Sequence, residues 1–396
     1  SLIFGVLDIG DVAQGGLFTL GAYITYTAVE NLGIDYFLAP IIVIPVTALA
    51  SLAFGTLIYR KLREYGIAPT FLGAVSLLLI VQSSIAIIYG ERAKTIPSPI
   101  VPSMTKIGRA SIFSHKIFVM VMTIVLSALV WYLLQKTRWG KAFRAISQND
   151  EAASLVGVNF ASNTTIAFII AGTLAGVAGF LTAPVYTFTP FTGRLYVLKA
   201  FVISRISMGS VPGAIGLALI MGITESLSSI YLLGKFSDLI PFILLIAVTL
   251  IRPEVLGPEE NGRTGRQLPT KIEFGLSKFK TFLWFVGGLG LILPCLFNLP
   301  GYIFHLAITI LTTAIAVTGL DLLYGYGGLP SLVQGAFFGA GAYASAILTN
   351  HSGGSLIIGL AGGLVIAGII GLFVGSIGVK TGRHWTSFTF ISTIVF

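Results

Sequence analysis

Eight stretches of this chain, 37–59, 69–90, 116–135, 164–189, 211–233, 281–298, 302–323 and 356–379, are apolar over roughly the length that crosses about 30 Å of hydrocarbon. A segment that spans lipid must satisfy its own backbone hydrogen bonds, so each is predicted to be a helix. Four shorter apolar runs, at 15–29, 195–208, 238–251 and 332–349, accompany them. Gly and Pro interrupt many of these runs. Lipid tolerates such breaks only where neighbouring helices or a cavity satisfy the freed backbone. The expected fold is an all-α polytopic membrane protein, a transmembrane helix bundle.

Composition leads to the same place. The 396 residues are 55% hydrophobic and only 10% charged, where a soluble chain carries about 25% charged residues. Such a chain cannot cover itself in water. Its 47 glycines, without a collagen period, fit close helix–helix approach in a bilayer. The net charge of +9 does not point to nucleic acid, because the basic residues cluster at the ends of apolar runs and not along a phosphate-binding stripe. The single Cys295 excludes an intrachain disulfide and a zinc site built on several cysteines. Residue 1 opens inside an apolar stretch and Phe396 closes the run 388–396 before it is long enough to span, so the sequence reads as a fragment of a longer chain.

Between the runs 116–134 and 166–181 lies a polar island, Trp139-Gly140-Lys141-Ala142-Phe143-Arg144, then Asp150-Glu151-Ala152-Ala153, then Gly157. It is longer than a turn between spans requires and reads as two short helices. Ser147-Gln148-Asn149-Asp150 has capping-box spacing. Asp150 and Glu151 then fall in a first turn, where negative charge favours the helix dipole. Gly157 is placed as the residue just past the helix end. Ala152 and Ala153 leave a face small enough for a partner to pack closely. Asn163 is positioned to cap the following span.

Putting this island inside and alternating outward places 16 of the 24 basic residues in cytoplasmic stretches, among them Arg60, Lys61, Lys136, Arg138, Lys141, Arg144, Lys380 and Arg383. The loop 91–115, with Arg92, Lys94, Lys106 and Arg109, is the exception and falls outside. Residues 253–280, with Pro253, Pro258, Gly262, Gly265 and Pro269, read as a cytoplasmic linker between 1–252 and 281–396. The two parts repeat each other. Gln14-Gly15-Gly16-Leu17-Phe18-Thr19-Leu20-Gly21-Ala22-Tyr23 aligns with Gln334-Gly335-Ala336-Phe337-Phe338-Gly339-Ala340-Gly341-Ala342-Tyr343 at an offset of 320, with six of ten positions identical. Both copies run inside to outside, so the internal repeat is parallel.

Glu151-Ala152-Ala153-x-x-x-Gly157 resembles the cytoplasmic EAA loop of bacterial ABC-transporter permeases. The flanking Arg144-Ala145 and Gly157-Val158-Asn159, with Gly209-Ser210-Val211-Pro212-Gly213-Ala214 and Gly222-x-x-Glu225-Ser226, are similar to the branched-chain amino acid branch and its urea and amide relatives. Residues 1–257 resemble the first permease subunit of that branch, and Gly325-Tyr326-Gly327-Gly328-Leu329 through Tyr343 resembles the start of the second. Three features depart from the family pattern: Ile206-Ser207 replaces a glycine pair, Gln14 replaces a His, and two usually separate subunits are fused.

The resemblance implies a multi-pass protein of the bacterial inner membrane, with Gly140, Arg144, Glu151, Ala152, Ala153 and Gly157 forming the ATPase-docking loop within 136–163. It also implies partner ATPase subunits that bind the ATP, and a periplasmic or lipoprotein substrate-binding protein. The second docking loop is expected near 471, beyond residue 396. Branched-chain amino acids are the expected solutes, with urea or short amides as the alternative.

Glu225 lies within the apolar run 213–233, which marks it as either functional or structurally hydrogen-bonded, with Ser226, Ser228 and Ser229 at hand. Lys199 and Arg205 are expected to snorkel from helix ends. Gln14 and Gln334 open matched helices, where they either line a polar path or bond between helices. Gly172, Gly176 and Gly179 read as a packing series. His115, His305, His351 and His384 show no ligand spacing, so no metal site is expected. No Walker A loop occurs in the sequence, and no nucleophile–base pair can be assembled. An ion-coupled secondary transporter would need buried acids, of which only Glu225 offers one. A membrane enzyme would need converging His, Asp or Glu residues.

Overall fold

The computed structural model describes residues 11–62, 65, 67–98, 100, 104–107, 110–207, 210–231, 243, 301–323, 333–351 and 353–381. The runs 238–251 (apart from Ile243) and 281–298, the linker 253–280, the Gly325–Leu329 motif, Cys295 and His384 lie outside them. Seven helices among the described residues are long and apolar enough to cross a membrane: Tyr36–Leu62, Pro69–Tyr89, Ser114–Lys136, Phe160–Thr182, Pro212–Tyr231, Ile303–Asp321 and Leu356–Ser376. The protein is an all-α polytopic membrane protein. Residues 11–231 fall in one compact unit and 301–381 in another.

The first unit is organised around α1 (Ala13–Tyr26), which continues as a π-helical turn over Thr27–Asn31. It packs against α2 (Pro40–Ala53), α3 (Ile67–Tyr89), α7 (Phe160–Thr182) and α8 (Thr192–Ile206). Protein, and not lipid, therefore surrounds α1, and Ala13, Leu17, Ala22 and Tyr23 are buried. The α2 span extends through a π-helical turn, Phe54–Tyr59, to Leu62. Pro45 lies inside it without ending it.

Small residues set the crossings. A Cβ on Gly21 of α1 would overlap the backbone of Gly176 on α7, so only glycine allows this approach. Gly172, Gly176 and Gly179 all lie along the seams that α7 makes with α1 and α2. Three hydrogen bonds fix the register: Ser51 Oγ to Phe168 O at 2.6 Å, Tyr36 Oη to Phe180 O at 3.1 Å, and Gly193 N to Thr19 Oγ1 at 3.1 Å.

The loop after α3 holds a two-stranded antiparallel hairpin, β1 (Met104–Ile107) and β2 (Ala110–Phe113), that the apolar-run reading does not anticipate. It leads into α4 (Ser114–Lys136). Upstream, Lys94 pairs with Phe188 through backbone bonds of 2.8 and 3.0 Å, tying this loop to the one after α7. The first unit closes with α9 (Val211–Tyr231).

In the second unit α10 (Gly301–Asp321), α11 (Gln334–His351) and α12 (Leu356–Thr381) are described. The spacing of the repeat carries over to the helices. Tyr36, where the next span begins, lies as far beyond Gln14 as Leu356 lies beyond Gln334. Helices α11 and α12 meet through small residues, with Gly341 facing Gly363.

Candidate functional site

The polar island folds into two short helices, α5 (Arg138–Gln148) and α6 (Asp150–Leu155), slung between the spans α4 and α7. Thr137 is the hinge. Its hydroxyl donates to Leu133 O at 2.5 Å and accepts the amide of Gly140 at 3.3 Å, so one side chain serves the end of α4 and the start of α5. Arg144 donates to the carbonyl of Leu134, a second orphan carbonyl of that helix end. Gly140 is buried against the same residue, and a Cβ there would overlap the Leu134 backbone. Gly140, Phe143 and Ile146 form the buried face of α5, while Lys141, Arg144 and Gln148 stay exposed.

The cap of α6 differs from the sequence expectation. Asn149, and not Ser147, is the N-cap, and its side chain accepts the amide of Ala152 at 2.9 Å. Ser147 Oγ instead donates back to Arg144 O within α5. A break between two helices offers several capping residues, and the extended backbone at Asn149 selects it. Asp150 and Glu151 stand in the first turn of α6.

At the other end Gly157 has φ +86°, with Gly157 N bonded to Ser154 O and Val158 N to Ala153 O, the double closure of a Schellman motif. The next span is also capped earlier than expected. Asn159, and not Asn163, accepts the amide of Ser162 at 3.1 Å, and Asn163 Nδ2 bonds back to Asn159 O.

Ala152 is exposed, but Ala153 is turned inward at 4% exposure, so the two alanines do not form one outward face. The outward surface comes from residues that composition did not single out. Leu155 is 88% exposed and Val156 79%. An apolar pair just before the helix-ending glycine, in an otherwise polar segment, was the signal that could have found them.

The other polar candidates each have their own local partners. Glu225 on α9 pairs with Lys199 on α8, Nζ to Oε1 at 2.7 Å. Lys199 therefore does not snorkel away, and among the described residues it is this ammonium that satisfies Glu225. The Ser228 hydroxyl is itself buried without a partner among the described residues. Gln14 sits in a local cluster, with Nε2 donating to Asp11 Oδ2 at 2.8 Å, and Tyr59 and the amide of Ala13 donating to the same carboxylate. Burial pushes the Asp11 carboxyl above its ordinary range, against the pull of these hydrogen bonds. Gln334 opens α11 and faces Gly319 of α10.

A glycine-packed bundle of membrane spans, carrying a polar segment of two short helices between two of them, defines a multi-pass membrane protein. Comparison with known proteins gives its family. The chain belongs to the family of branched-chain amino acid transport system permease components, which matches residues 1–249 and 302–396. It is 28% identical over 277 residues to the high-affinity branched-chain amino acid transport system permease protein LivH of Escherichia coli K12, covering 66% of this chain and 89% of that one. It is 27% identical over 278 residues to the permease protein BraD of Pseudomonas aeruginosa, described in the same terms, covering 66% and 90%. The guanosine ABC transporter permease protein NupQ of Bacillus subtilis is 28% identical over 222 residues, covering 50% of this chain and 66% of that one. No solved structure matches. These relatives are transport permeases and not enzymes, and the chain is a permease component of the bacterial inner membrane.

Proposed function

We propose that this chain forms the translocation pathway of an ATP-driven importer for branched-chain or related amino acids. It carries a first permease unit, 1–252, and the start of a second, 281–396, joined by the linker 253–280. Separate ATPase subunits dock on 136–163, and a substrate-binding protein delivers solute on the opposite face. In this reading nucleotide-driven closure of the ATPases moves α5 and α6, and the anchored ends of α4 and α7 pass that movement into the bundle.

The observation that carries the reading is the exposure of Leu155 and Val156, 88% and 79%, at the end of a short helix capped at both ends. Two bare aliphatic side chains in a segment that also exposes Lys141, Arg144 and Gln148 are suited to a protein cleft, where they would supply the apolar part of a contact. Anchoring on the membrane side makes the helix a rigid lever for such a contact.

The test is co-purification of the ATPase subunits with the full membrane assembly. Leu155→Asp is expected to weaken ATPase binding roughly tenfold to a hundredfold, the scale of a central interface residue, while membrane insertion is unchanged. Undiminished co-purification and uptake by both Leu155→Asp and Val156→Asp would refute the docking assignment.

A further inference from the structure

The Lys199–Glu225 pair stands on adjacent helices of the first unit at a depth where charge is costly. Glu225 lies within the span Pro212–Tyr231, six residues or about 9 Å before its end. Both side chains remain partly open, 18% for Lys199 and 34% for Glu225. An ion pair that is partly open inside a span cannot be turned to lipid, so water or protein covers that face of α8 and α9. Ser228, three residues on and on the same side of α9 as Glu225, keeps its buried hydroxyl without a hydrogen-bond partner among the described residues. A buried donor left over beside an opened charge pair is a place prepared for another polar group.

We propose that the Lys199–Glu225 pair is a binding station for zwitterionic amino acids on the translocation path, and that solute enters by exchanging partners with it. This rests on the importer reading above and names the charge chemistry of its solute. The Lys199 ammonium leaves Glu225 and takes the solute carboxylate, while Glu225 takes the solute α-ammonium. Two charges meet two charges, so the site keeps its net charge and neither side chain is stranded in a medium where an unpaired ion is costly. Ser228 adds a hydroxyl that can donate to the solute carboxylate. Solutes without both charges, such as urea or simple amides, cannot replace the internal pair on both sides, so the station selects for the zwitterion.

The experiment uses the complete transporter with its ATPase and binding protein in proteoliposomes. Glu225→Gln is expected to lower uptake of the amino acid roughly tenfold to a hundredfold, the scale of losing one charged hydrogen bond, with ATPase co-purification and ATP hydrolysis retained. In a Cys295→Ala background, a Glu225→Cys thiol is expected to react with a water-soluble thiosulfonate, and saturating amino acid is expected to slow that reaction severalfold. Lys199→Cys, the partly open other member of the pair, replaces it where Glu225→Cys does not assemble. Full uptake by Glu225→Gln, or a thiol that stays inert or ignores the solute, would overturn the proposal. Should the unsubstituted transporter carry an uncharged solute and no amino acid, the importer reading itself fails on its solute, a result separate from the thiol reactivity.

Discussion

The guanidinium of Arg144 on α5 donates to the carbonyl of Leu134 on α4, across ten residues of sequence. Together with Thr137 and the tight fit of Gly140, it makes the polar segment an extension of a membrane span and not a loose loop. Arg144→Ala removes one charged donor and should loosen the joint by about 1–2 kcal/mol. The expected phenotype is ATP hydrolysis that persists while uptake falls severalfold, read as a rise in ATP consumed per solute. Gly140→Val should be more severe, because its side chain meets backbone that cannot yield.

Gly157 offers a test of the other end. Its φ of +86° is strained for any residue with a Cβ, although the space around it is open. Gly157→Ala should therefore cost about 1–2 kcal/mol through the backbone alone, and Gly157→Asn less. Reduced coupling with normal ATPase co-purification is the expected result for Gly157→Ala. Equal coupling by both variants would show that the left-handed cap has no part in transmission.

The crossing of α1 with α7 makes a stability prediction. Gly21→Val should lower the thermal inactivation temperature in detergent, by the equivalent of about 1–3 kcal/mol or more, because the new methyl groups meet the backbone of Gly176. Gly222→Ala, where a Cβ would meet open space, should leave it unchanged.

Asp11 gives a pH dependence. Burial raises its carboxyl above the ordinary value of 3.8, although hydrogen bonds from Tyr59, Gln14 and Ala13 oppose this. A group whose pKa is raised on folding adds stability that is full below its unfolded value and is lost as pH rises through its folded value. From about pH 4 upward the native protein should lose part of this contribution, and Asp11→Asn should flatten that loss in thermal inactivation curves. An unchanged slope contradicts the assignment.

The spans were legible because lipid imposes one rule on every segment that crosses it, and long apolar runs reveal them directly. Helix α1 was harder. Its Gly, Thr and Gln residues look unlike a span because protein surrounds it, yet the matching Gln14 and Gln334 segments showed that it recurs. The hairpin at 104–113 is not legible, since four-residue strands leave little periodic signal. Within the polar segment the position of Gly157 as a helix terminator was readable. The choice of Asn149 over Ser147 as cap was not, because both side chains can serve and only the backbone conformation decides. The Lys199–Glu225 pair leaves no trace in the sequence, since no local spacing links residues on separate helices, and the apolar Leu155 and Val156 form too short a run to stand out beside more conspicuous charges.

In the proposed importer the tip of α6 is held in a cleft of an ATPase subunit. A photoreactive amino acid placed at position 156 in the intact membrane assembly tests it directly. The expected product is a covalent adduct between this chain and the ATPase subunit, in high yield and lost when the ATPase is absent. An adduct with lipid alone, or none with the ATPase while uptake remains normal, would contradict it.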